Sequence, residues 1–250
     1  MANGSKIEWT ELTWNPTTGC SKISAGCKNC YAEIFSKRLR AMKTQGYENG
    51  FQLTLHEYRL EQPLKRKKPT YFFVNSMSDL FHEEIPDAFI DRIFDIIKQT
   101  PHHTYQILTK RAYRLPEYFS SRKCFSNVWL GVTVEDNSTK CRIDYLRNIT
   151  APVRFVSAEP LLEDLGRLNL KNINWVIVGG ESGVRARPMQ HKWIESIKKQ
   201  CHEKAISFFF KQWGGWGVDG KKRTKKNNGR VFNGQVWNEI PYLREKNNNF

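Results

Sequence analysis

The chain has 250 residues, 39% of them hydrophobic, and a mean hydropathy of -0.62, which allows one sizeable core and excludes both a disordered chain and a bilayer-spanning one. Forty basic residues against 25 acidic give a net charge of +15, so polyanions are the first partners to consider, nucleic acid above all. The opening MANGSKIEWTE lacks the basic-then-apolar layout of a secretory signal. Disulfide frameworks belong mainly to short secreted chains, whereas this one is long, with three of its six cysteines clustered and Cys124, Cys141 and Cys201 widely scattered. A cytoplasmic location with reduced thiols, away from membranes, is the expectation.

In chain order, short apolar segments rich in β-branched and aromatic residues recur at Leu12–Trp14, Tyr71–Val74, Tyr105–Leu108, Val128–Val134, Val153–Val156, Trp175–Val178 and Ile206–Phe210. Most lack alternation, as strands of a parallel sheet buried on both faces do. Between them run helical spacings. Tyr31, Ile34, Phe35, Leu39 and Met42 fall on one face, as do Phe89, Ile90, Ile93, Phe94 and Ile97, and then Trp193, Ile194, Ile197 and Cys201. Pro86 and Asp87 suit the first turn of the second helix. Residues 43–70 fit no repeat, and the connection from Glu159 to Asn174 is short for a helix. Strand-then-helix repeats predict an α/β fold, a partial or closed (β/α) barrel over residues 1–213. Residues 214–250 read as a basic and aromatic extension at the barrel mouth with a frayed, Asn-rich tip.

Each predicted strand is followed by polar residues: Asn15 to Cys30, Asn75 to Asp79, Thr109 to Arg111, Glu135-Asp136, Ser157 to Glu159, Gly179 to Ser182 and Lys211 to Trp213. In parallel α/β folds these positions share one rim, where ligands bind. Cys20, Cys27 and Cys30 lie on that rim, in GCSKISAGCKNCYA. Three thiolates hold three irons of a [4Fe-4S] cube and leave the fourth free for a ligand, whereas a structural zinc closes with four donors. The zinc alternative takes a distant His56 or His82 as its fourth donor and makes the chain a non-catalytic nucleic-acid-binding module. No GxGxxG fingerprint and no P-loop motif is present.

The strings IEWTELTWNP-x3-C-x6-C-x2-CYAE, FVNSMSDLFHE, ILTKR, NVWLGVTVE, RFVSAEPLL, WVIVGGESG-x3-RPM and FFFKQWG cover residues 7–215. In that order they resemble the phage-type three-cysteine-motif proteins related to radical SAM enzymes. The resemblance implies a barrel of the radical SAM type, with a [4Fe-4S] cluster on Cys20, Cys27 and Cys30 and S-adenosylmethionine on the open iron. Cleavage of that cofactor gives a 5′-deoxyadenosyl radical, as in a lyase or transferase. Six residues separate the first two cysteines where radical SAM enzymes usually have three, which reads as a wider loop. Ser76, Ser78 and Asp79 are then candidates to hold the methionine end, and Glu135 the ribose hydroxyls. Ser157, Glu159, Gly179, Gly180 and Glu181 supply further cofactor contacts. Tyr31 either packs over the cluster or adenine or begins the apolar face of its helix.

Lys110, Arg111, Arg185, Arg187, Lys211 and Gln212 on the rim either bind an anionic substrate or pair with Glu159 and Glu181. Trp213 and Trp216, leading into the basic run Lys221–Lys226, either stack on a base or form a hydrophobic lid. A second basic run spans Lys65–Lys68. The expected substrate is DNA or RNA, repaired or modified; a protein or small molecule is the alternative. The resemblance also implies a reductant protein and a separately encoded partner.

Overall fold

The computed structural model describes residues 4–241. Seven strands, β1 (Leu12–Trp14), β2 (Tyr71–Val74), β3 (Thr104–Thr109), β4 (Val128–Thr133), β5 (Val153–Ala158), β6 (Trp175–Gly179) and β7 (Ser207–Gln212), form one sheet in chain order. Every neighbouring pair is parallel. The sheet curls into a half-barrel, and β1 and β7 stay unpaired with each other. All seven strands lie where the apolar segments predict them. Their continuous hydrophobicity follows from burial on both faces, complete along β4 and β6.

Helices α1 (Tyr31–Ala41), α2 (Asp87–Gln99), α3 (Arg114–Tyr118), α4 (Cys141–Arg147), α5 (His191–Glu203) and α6 (Lys225–Asn228) fill the connections. On the convex side Ile90, Ile93 and Ile97 of α2 and Ile194 and Ile197 of α5 share one core with Ile107, Leu130, Val156, Val176 and Phe208 of the strands. The concave side has its own aromatic core of Phe73, Trp129, Phe155, Trp175 and Phe209. Trp9 plugs it from the N-terminal segment, its ring 4.6 Å from Phe73 and 6.1 Å from Trp175. Gln106 Nε2 donates to the Trp9 carbonyl at 3.1 Å, which fixes the plug in register.

Helix α1 departs from the pattern expected of it. It packs inward through the small residues Ala32 and Ser36, which permit close approach, and turns Ile34, Phe35 and Met42 outward. The Glu159–Asn174 connection holds no helix, as its length implies.

Residues 43–70 contribute a short strand, Thr54–Leu55, paired antiparallel with Thr17–Thr18. Beyond β7, a hairpin of Val231–Phe232 and Gln235–Val236 buries Phe232 against Trp213. The chain then runs antiparallel along the free edge of β7, with Phe210 N–H donating to the Trp237 carbonyl at 3.1 Å and Glu239 N–H to that of Phe208 at 3.3 Å. Covering the edge in this way blocks intermolecular pairing. The Asn-rich tip lies outside the described residues. Among the described residues no helix is long and apolar enough to cross a membrane.

Candidate functional site

The cysteine loop is held by the carboxyl ends of four strands. Gly19 bridges to Ser78 after β2, and its N–H donates to the Met77 carbonyl at 3.0 Å. Its φ of +82° and the Gln52 carbonyl, 2.1 Å from where a Cβ would sit, exclude any other residue. After β3, Arg111 donates to Cys20 Sγ at 3.4 Å and to Ser21 Oγ at 2.7 Å. Glu135, after β4, accepts from Ser24 Oγ at 2.7 Å, and a Cβ on Gly26 would lie 2.5 Å from its carboxylate. After β6, Glu181 accepts from Asn29 Nδ2 at 3.1 Å, and Arg187 donates to the Ala25 carbonyl at 3.0 Å. The two glycines that precede cysteines are therefore required by neighbouring protein atoms.

Held this way, Cys20, Cys27 and Cys30 all line one cavity of about 410 Å³ at the carboxyl ends of the strands. Trp9, Phe73 and Leu108 form its apolar floor; Asn75, Ser76, Ser78, Ser157, Glu159, Gly180, Glu181, Lys211 and Gln212 add polar walls. Burial pushes the Cys20 thiol up to about 12, with Asp79 adding to the shift and Arg111 opposing it. Cys27 feels burial too, but the Lys110 ammonium and hydrogen bonds from Ile23 and Ser24 outweigh it and hold the thiol below its ordinary value.

The charged rim residues are largely committed to one another. Asp79, buried, accepts from Thr109 Oγ1 at 2.7 Å, Lys110 N–H at 2.9 Å and Arg111 at 3.3 Å. Glu135, fully buried, takes Lys110 at 2.5 Å and Arg142 at 2.7 Å. Burial raises its carboxyl, yet these two cations hold it below the usual carboxylate range. Neither carboxylate is free for a cofactor in this arrangement, and Arg111, 1% exposed, braces the loop from below. Lys211 pairs with Glu159 at 3.0 Å and Arg187 with Glu181 at 2.5 Å, the ion-pairing alternative weighed above. Arg185 is exposed, with its carbonyl accepting from Asn29.

Ser76 Oγ donates to Asn15 Oδ1 at 3.1 Å, and its carbonyl accepts from the Tyr31 hydroxyl, which sits over the cavity. Ser78 is bonded to Thr17 Oγ1 at 2.6 Å. Ser157 donates to Glu159 at 3.2 Å, and Gly179 ends β6 beneath that carboxylate. Trp213 is buried between Phe210 and Phe232, its indole N–H on the Val231 carbonyl at 2.8 Å, and does not line the cavity, so it neither offers a stacking face nor covers the site. Trp216 is half-buried, with its N–H on the Ala186 carbonyl at 2.7 Å and Lys222 over its ring.

His56 and His82, the proposed fourth zinc donors, are engaged elsewhere. His56 Nε2 lies 2.8 Å from Thr18 Oγ1, and His82 Nε2 lies 2.9 Å from Ser21 Oγ. Among the described residues no three His, Cys, Asp or Glu side chains converge on a position for a single ion.

Asn15, Asn29 and Asn75 fall within the polar stretches that follow the strands, but the sequence assigns none of them a role. Asn15 anchors the Ser76–Met77 turn, Asn29 links the cysteine loop to Glu181, and Asn75, at φ +58°, leaves its buried Nδ2 without a partner. Gln212 Oε1 is likewise unpartnered. Lys225 reaches the cavity from the C-terminal extension and pairs with Glu8 at 2.7 Å. The left-handed Asn75 is a conformation Asn tolerates better than most residues, the one local signal available.

Neither the curated proteins nor the solved structures yielded a match. A family model described as "Protein of unknown function (DUF5131)" matches residues 4–241, nearly the whole chain, and the protein therefore belongs to the DUF5131 family.

Proposed function

We propose that this protein is a radical SAM enzyme acting on a nucleic acid, with a [4Fe-4S] cluster on Cys20, Cys27 and Cys30 and S-adenosylmethionine beside it. The observation that carries the reading is that all three thiols of one loop open on a single cavity at the carboxyl ends of parallel strands. The donor set fits the cluster. Thiolates on a cube bind different irons and have no need to meet at one point, as donors to a tetrahedral zinc must.

The cavity also fits the cofactor. A volume of about 410 Å³ is in the range of small-molecule sites, and two of its lining residues, Asn75 and Gln212, each keep a buried side-chain atom, Nδ2 and Oε1, without a partner. A ligand bearing both carboxylate and amino groups could satisfy them after a small side-chain shift. When bound, the cluster and S-adenosylmethionine supply a 5′-deoxyadenosyl radical that takes hydrogen from the substrate. The protein's part is positional. Trp9, Phe73 and Leu108 keep the floor dry, and the braces from Arg111, Glu135 and Glu181 hold the loop.

Ion pairing leaves the cavity close to charge balance, while the exposed cations Lys221, Lys222, Arg223 and Lys226 gather outside it and Lys225 reaches in. Such a division suits a polyanion whose phosphates stay outside while one base or sugar enters. The other run, Lys65–Lys68, leads into the amino end of β2, opposite the cavity. The test is anaerobic incubation of the reconstituted protein with S-adenosylmethionine and dithionite. 5′-Deoxyadenosine should form, and Cys20→Ala, Cys27→Ala and Cys30→Ala should each abolish it. Undiminished release from any one variant refutes the assignment.

A further inference from the structure

Helix α1 carries apolar side chains that nothing among the described residues covers. Ile34 is 62% exposed, Phe35 46% and Met42 63%. They lie with exposed Arg38 along one side of the helix, at spacings of three and four residues. Ile34 and Phe35 are neighbours and Met42 follows beyond Arg38, and apolar exposure grouped on one side of a helix marks an interaction surface. Its border is basic. Lys37, Arg38, Arg40 and Lys43 stand against the single carboxylate Glu33, which Lys22 at 2.7 Å and Lys37 at 2.8 Å already engage.

The chemistry of the patch selects its occupant. A second copy would set one basic border against another. Phosphates would meet the cations but leave Ile34, Phe35 and Met42 wet. An acidic protein with a small apolar contact answers both features, and apolar centres with charged rims suit weak, fast encounters. Location narrows the choice further. The patch begins one helical turn from a site thiol, since Ile34 N–H donates to the Cys30 carbonyl at 3.3 Å.

We propose that the outward face of α1 docks an acidic one-electron carrier protein of the ferredoxin class, which delivers its electron through the Cys30 corner of the site. The inference rests on the function proposed above. In the transfer the reduced ferredoxin loses one electron and is left oxidised, the thiolate-held cluster gains it, and no bond or proton is exchanged. Tunnelling falls steeply with distance, so a donor must dock close to the cluster. A surface one turn from Cys30 meets that need.

The experiment titrates the anaerobically reconstituted protein with a purified acidic ferredoxin in a calorimeter at low and at high salt. It compares the natural chain with Ile34→Asp/Met42→Asp and with Arg38→Glu/Lys43→Glu. Saturable binding should weaken with salt and fall at least about ten-fold in each variant. Dithionite-driven 5′-deoxyadenosine release should stay unchanged, since none of these side chains lines the cavity. Circular dichroism checks that the exposed substitutions leave the fold intact. Absent ferredoxin binding, or equal binding by all three proteins, overturns the proposal. So does a change confined to DNA binding, or a dimer of the natural chain that the variants lose. Failure of dithionite-driven release in the natural chain is a separate outcome: it refutes the enzymatic reading, while the calorimetry still decides the docking surface.

Discussion

Glu135 is the buried charge on which the cysteine loop depends most, and replacing it by Gln isolates its contribution. The carboxylate is 0% exposed, with Lys110 at 2.5 Å, Arg142 at 2.7 Å and Ser24 at 2.7 Å. Gln keeps the volume but withdraws the charge from two cations whose side chains are 23% and 10% exposed. Removing one partner of a buried pair costs about 3–5 kcal/mol; partial exposure of Lys110 puts the expectation at the lower end, about 3 kcal/mol. For a chain of this size that lowers Tm by about 6–12 °C. The exposed pair Lys199–Glu203, 4.0 Å apart, is the control: Glu203→Gln should cost less than about 0.5 kcal/mol. The pH dependence has a fixed sign. With its folded pKa below the unfolded value, Glu135 contributes stability that is present above pH ~4.3 and lost as pH falls through the folded value. The natural chain should therefore lose more stability in acid than Glu135→Gln does. Chemical denaturation between pH 3 and 7, at about 25 °C, measures both effects. A difference at pH 7 below about 0.5 kcal/mol would refute the reasoning.

Three further outcomes are expected. Trp9→Ala removes the plug of the concave core and should destabilise by about 3–5 kcal/mol in urea unfolding; a loss under about 1 kcal/mol would mean that the plug is dispensable. Burial lowers the His56 pKa to about 4, with Arg59 adding to the shift. Stability present above pH ~6.5 is then lost as pH falls toward 4, by at most about 3 kcal/mol, and His56→Gln should flatten that slope. Replacing exposed Lys221 and Lys226 together by Gln should reduce the salt dependence of duplex or single-strand binding by up to about 2 log–log units, and an unchanged slope would place the phosphates elsewhere.

Much of the fold is legible in the sequence because its strands are buried on both faces. Tyr71–Val74 or Trp175–Gly179 stand out as apolar runs whatever their neighbours, and polar residues follow each run where the rim must lie. The site's composition is legible for the same reason, since the strand ends converge. What each rim residue contacts is not. A carboxylate such as Asp79 or Glu135 has the same letter whether it meets a ligand or an Arg, and only packing decides between Arg111 as brace and Arg111 as substrate clamp. Helix α1 misleads differently. Its apolar periodicity is real, but Ala32 and Ser36 let the opposite side approach the barrel more closely. The C-terminal extension is a third case. Trp213 reads as a base-stacking or lid aromatic ahead of a basic run, yet the hairpin of Phe232 encloses it, a long-range contact that local pattern cannot express.

The most direct test of the proposed chemistry is metal analysis of anaerobically reconstituted protein, with electron paramagnetic resonance of the reduced form before and after S-adenosylmethionine is added. A brown protein with about four irons and four sulfides per chain is expected, its signal shifting on addition of the cofactor. A colourless protein with about one zinc per chain, indifferent to S-adenosylmethionine, would contradict it.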